Sequence, residues 1–244
     1  ELKKEFFELT PEAYYGDTKS VRDRMQVFYS FQKLATAYQL YPDSFGEEFE
    51  KKLEEHVQWL ITLREQVLAD RDEKVREQGM SLNYAKPGAD EQQMVKEDYM
   101  FASAMATGYF VIQPYNAPLA GQSLSHAQKA YQNAARFKLS GELQYMAAAS
   151  LFRSVGNYTY HAVVKDAYRQ DGNVLPPGYQ LITKEKNILC DAGLWGNFFY
   201  MTSTKGSDMT ICDKQMAEMM DLCGESLDIW PQSAFGRIAG KEDS

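Results

Sequence analysis

Residues 99–112, YMFASAMATGYFVI, contain no charged residue and no proline. Apolar or small side chains fall on every face of a helical wheel, so a helix here has no solvated side and belongs at the centre of a helical assembly. The run is too short to span a bilayer, which takes about 20 apolar residues, and Pro114 and Pro118 follow it directly. Ala102 with Ala106, and Ala104 with Gly108, place small residues four apart on shared faces, where a neighbouring helix can come close.

Upstream, this helix starts near Asp90, after a loop over Asn83–Gly88, and its first turns are charged. Before the loop, Ser44-x-x-Glu47 is a capping box ahead of an apolar stripe made by Phe45, Phe49, Leu53, Val57, Leu60, Ile61, Val67 and Leu68. Asp70–Gln78 is almost all charge and is expected to project into water, a solvated face or a handle for another subunit, with Gly79 as the stop. Earlier still, Ser20-x-x-Asp23 caps a helix whose apolar face is Val21, Met25, Phe28, Phe31, Ala35 and Tyr38. Glu1–Asp17 reads as an arm docked by Phe6, Phe7, Tyr14 and Tyr15.

Downstream, Gln113–Gly121 is a proline-rich break, and Ser125-x-x-Gln128 is expected to cap a helix running to about Leu139. Another helix covers Glu142–Val155, Gly156-Asn157 kinks or ends it, and Tyr158–Gln170 is helical again. The texture then changes. Turn clusters at 171–173 and 176–178 separate short β-like runs at 179–183, 188–190 and 198–202, and one more helix covers Asp213 to about Cys223. The expected fold is mainly α: a multi-helix, bundle-like domain over residues 1–170, with a small strand-containing appendage over 171–244 packed on it or continuous with it.

Composition sets bounds on function. The 244 residues are 44% hydrophobic and 25% charged, which is ordinary soluble globular material rather than a disordered or fibrous chain. The net charge of −8 gives no broad positive surface for nucleic-acid phosphates. The chain begins at Glu1 without Met, has three cysteines and carries a sequon at Asn157-Tyr158-Thr159. Those features lean toward a secreted or periplasmic protein and leave a cytoplasmic one open.

Common catalytic and cofactor signatures are missing. Cys190, Cys212 and Cys223 form no CxxC, and the odd count permits one disulfide at most. The three histidines, His56, His126 and His161, have Leu53, Ser123 and Tyr158 three residues before them, so neither HExxH nor the Glu-x-x-His of di-iron bundles occurs. Gly-x-Ser-x-Gly, GxxxxGK[ST] and GxGxxG are absent from the sequence. Ser30-x-x-Lys33 matches a serine–lysine pairing but lies mid-helix without companion motifs. Met216, Met219, Met220 and Cys223 share a helix face that reads as adaptable core rather than a soft-metal site. No metal or cofactor is expected.

Charge distribution carries the remaining signal. From Tyr99 to Lys165, Glu142 is the one acid against Lys129, Arg136, Lys138, Arg153 and Lys165, so this segment is net +4 in a chain of −8. Seven tyrosines and two histidines lie in it, and Tyr and Arg are enriched where partners dock. The bland reading is that acids are scarce because this is the buried middle of the protein. The functional reading is a binding scaffold with an aromatic, locally basic surface bordered by Tyr115, His126, Arg136, Tyr160 and His161, taking a protein partner or a small anionic or aromatic ligand. Its alternative is a hydrolase or transferase whose acid and base are carboxylates or His161 assembled by the fold.

Overall fold

Helix α1 spans Pro11–Tyr15, α2 Val21–Leu40, α3 Glu48–Gln78, α4 Ala89–Ile112, α5 Ala117–Ala135 and α6 Glu142–Val155. The computed structural model describes residues 6–40, 45, 48–78, 82–139, 141–160 and 162–163, without the side chains of 39–40, 74–78 and 142. None of these residues lies in a strand. The β-like runs expected after Asp171, the following helix and all three cysteines lie outside the described residues, as does the Ser44 cap. The chain divides after Gly156 into two units, and within the second, residues 157–160 and 162–163 are described.

As its uncharged run 99–112 implies, α4 is the central element, with α2, α3, α5 and α6 packed on it. Contacts fix the directions. Arg24 meets Glu97 and Gln32 meets Ser103, so α2 runs parallel to α4. Val57 faces Gly108 while Arg64 meets Asp98, so α3 runs antiparallel. Ser123 donates to the Met105 carbonyl and Tyr131 packs on Tyr99, so α5 is antiparallel as well. Ser150 pairs with Ser103 and Ser154 donates to the Ala106 carbonyl, so α6 is parallel.

The small residues on α4 do what their spacing implies. A Cβ on Gly108 would stand 3.2 Å from Val57 Cγ2 and 3.3 Å from Phe31 Cε1, so two helices converge on that hydrogen. Phe28, Phe31, Phe49, Leu53, Leu60, Phe101 and Met105 are fully buried in the described core, each contributing about 1.5–3 kcal/mol.

Helix ends follow local chemistry. Ser20 Oγ accepts the Asp23 N–H at 3.1 Å, the expected cap. Gly156, at φ +64°, ends α6 rather than kinking it. The break at Gln113–Gly121 is shorter than expected. Asn116 Oδ1 accepts the Leu119 N–H at 3.1 Å and starts α5 at Ala117. Pro118 is in the first turn, where its missing N–H has no partner to lose. Ser125 is therefore mid-helix and caps nothing.

The charged beginning of α4 is not solvated. Glu97 is wholly buried and Asp98 nearly so. Arg24 Nε and Nη2 donate to Glu97 at 2.5 and 3.3 Å, and Arg71 Nη2 donates to it at 2.6 Å. Asp98 Oδ1 accepts from Arg64 and Arg71, each at 2.7 Å. Arg71 was expected to point into water with the rest of 70–78, yet it turns inward, while Asp70, Asp72 and Glu73 remain exposed. Arg64 is 2% exposed and its Nη1 has no hydrogen-bond partner among the described residues. Among the described residues the network thus holds three cations against two anions.

Candidate functional site

Polar residues on α3 recur at Gln58, Thr62 and Glu65, four and then three apart, which places them on one edge of that helix. Parallel to them runs an edge of α5. At 100° per residue, Pro118, Gln122, Ser125, Lys129 and Arg136 fall within about 60° of one another, over about 27 Å of helix. Between the two edges lies a cleft of about 620 Å³ lined by Gln58, Ile61, Glu65, Gln122, Ser125, His126 and Lys129, among others. Gln58 also lines a second cleft of about 530 Å³ that contains Pro11, Trp59 and Leu119, so the two clefts adjoin at that side chain along the groove between α3 and α5.

His126 sits in the groove wall, with Nε2 3.8 Å from Glu65 Oε1. Burial pushes its pKa below the ordinary imidazole range. Glu65 opposes that shift, while Lys129 and Arg64 reinforce it. The sequence also favours a neutral ring, but through proximity to a helix start at Ser125. With α5 beginning at Ala117, the cause is desolvation and neighbouring cations instead.

Tyr115 is 50% exposed in the turn before α5. Its hydroxyl meets that of Tyr38 at 2.8 Å, and Tyr38 donates to Glu50 at 2.7 Å. Arg136 is exposed at the C-cap of α5, where the negative end of the helix dipole favours a cation. His126 and Arg136 therefore share one side of α5 about 15 Å apart, and Tyr115 lies beyond the opposite end of the helix. These three side chains do not gather at one centre. Tyr160 is buried and belongs to the second unit, and His161 lies outside the described residues.

Charges along the groove are unequally matched. On α3, Glu65 faces His126, Glu55 pairs with Lys52 at 2.8 Å, and Glu54 accepts from Asn116 at 3.1 Å. On α5, Lys129 and Arg136 have no ion pair among the described residues, and no acid occurs between Asp98 and Glu142. Trp59, Gln58 and Glu65 were not singled out from sequence. The recurrence of polar residues on α3 was visible there, but it reads equally as a solvated face. The serine–lysine pairing does not form: Gln26 Nε2 bonds Ser30 Oγ at 3.4 Å and Lys33 lies over the Tyr29 ring at 4.3 Å. The chain matches no known family model, no curated protein and no solved structure.

Proposed function

We propose that the chain is a helical binding scaffold whose groove between α3 and α5 docks an acidic protein segment. The observation that carries this reading is the acid-free edge of α5, where Lys129 lines the open groove and Arg136 stands exposed about 10 Å further along the same edge, neither with a carboxylate partner among the described residues. Opposite charge steers encounter and fixes register, and such contacts weaken as salt rises. Trp59 at the other end of the groove offers apolar contact area, a residue type enriched at binding hot spots. Distances of about 15 Å between the polar groups favour an extended partner over a substrate held at one reacting centre.

Fluorescence anisotropy with a labelled hexaglutamate peptide tests the reading. Lys129→Glu with Arg136→Glu should abolish binding. Lys19→Glu with Arg22→Glu makes the same change in net charge on exposed residues near the start of α2, and should leave most of the binding intact. Equal losses in both pairs would reduce the interaction to net charge and remove the groove from the account.

A further inference from the structure

The segment from Phe6 to Tyr15 is held on α3 by aromatic rings gathered round one histidine. His56 is 0% exposed. The Phe6, Tyr15 and Tyr14 ring centroids lie 4.5, 5.2 and 5.6 Å from the imidazole. Tyr15 also stacks on Trp59 at 5.4 Å, and Phe6 reaches Phe49 at 4.9 Å. His56 Nδ1 is 3.0 Å from the Tyr15 hydroxyl, whereas Nε2 is buried with no hydrogen-bond partner among the described residues.

A neutral imidazole tolerates this enclosure, because one nitrogen can remain a bare acceptor. Protonation puts an N–H on both nitrogens and a charge on the ring. The docked rings offer Nε2–H no acceptor and the charge no water. Among the described residues, the titratable groups that face His56 are Tyr14 and Tyr15 from the arm and Lys52, paired with Glu55, from one turn earlier on α3, and the Lys52 ammonium repels a charge on the ring. No residue of α1 is fully buried, Phe6 is the arm's deep anchor, and Lys52 Nζ tethers the Leu9 carbonyl at 3.4 Å. Gly16, at φ +76°, turns the chain away directly afterwards.

We propose that residues 6–15 form a releasable clasp over α3, and that protonation of His56 opens it. Release uncovers Phe49, His56 and Trp59 and takes Pro11 out of the groove wall. The effect on the groove rests on the docking reading above, whereas release itself can be measured with no partner present.

Burial, with Lys52 adding to it, pushes His56 down to about 3 from 6.5. Linkage between those values weakens arm docking by roughly seventyfold at pH 4.5 relative to pH 7. Hydrogen exchange of the full chain, corrected for intrinsic rates, reads this directly. Amides of residues 6–15 should lose protection by up to that factor while those of 99–112 keep theirs. His56→Met and His56→Gln, neither of which can take up the proton, should each show the same arm protection at both pH values. Unchanged arm protection in the wild type at pH 4.5 would overturn the clasp. So would an undiminished loss in whichever of the two variants folds, or an equal loss over residues 99–112.

Discussion

Replacing Glu97 with Gln keeps the side chain's size and removes its charge where water cannot compensate. Glu97 is 0% exposed and accepts three hydrogen bonds, two from Arg24 and one from Arg71. The variant leaves three arginines against Asp98 alone. Removing one partner from a buried ion pair typically costs about 3–5 kcal/mol, a large part of the roughly 5–15 kcal/mol that holds a typical domain together. With a urea slope of about 2 kcal/mol/M, the denaturation midpoint should fall by about 2 M at an unchanged slope. The acid limb gives a second reading. Burial raises the Glu97 pKa, but the Arg24 bonds and the Arg71 and Arg24 charges overcome it and hold the carboxyl below its ordinary value. Its contribution is therefore full above the unfolded carboxylate pKa of about 4.3 and is lost as pH falls through the lower folded value. The wild type should lose stability steeply below pH 4, and Glu97→Gln should lose less over the same interval. A midpoint shift under 0.5 M, or an equally steep acid limb in the variant, would refute the view that this network is a strongly coupled buried pairing.

Arg64→Met should behave in the opposite way, because it leaves two cations against two anions and removes a buried Nη1 without a partner; chemical denaturation should place it within about 1 kcal/mol of the wild type or above it. Tyr99→Phe deletes a buried hydroxyl that has no partner among the described residues, so its melting temperature should hold or rise, and a loss above about 1 kcal/mol would reveal a hidden bond. Gly108→Val should destabilise by about 1–3 kcal/mol in the same assay, since even the first added carbon stands 3.2 Å from Val57. Phe6→Ala should strip exchange protection from residues 6–15 while the protection of α4 is retained, because Phe6 is the arm's deep anchor.

Much of the helical layout was legible because local sequence encodes it. The uncharged run 99–112 has no face to offer water, so its central place follows from composition. The Ser20 cap and the Gly156 stop depend on groups within a few residues of each other. The start of α5 was misplaced because Pro118 reads as a breaker until it is known to stand in a first turn, and Asn116 makes it one. Of the site, Arg136 was visible as a cation, and His126 as one of two histidines, in an acid-poor segment. Glu65, Gln58 and Trp59 were not, because their relation to α5 is a pairing of helices far apart in the chain.

The sequence alone determined the main stretches of α2, α3, α4 and α6, the central place of α4 and the aromatic arm before them, though not the helix α1 within that arm or the start of α5, since hydrophobic periodicity and caps are short-range properties. Tertiary structure decided the rest. It drew Glu97, Asp98, Arg64 and Arg71 inside, although each reads as surface from its neighbours in sequence. It closed the aromatic rings of the arm over His56, and it set the basic edge of α5 beside the polar edge of α3. A charge or an imidazole takes its energetic meaning from what surrounds it in three dimensions, and those surroundings come from residues up to 73 positions away, as in Arg24 with Glu97.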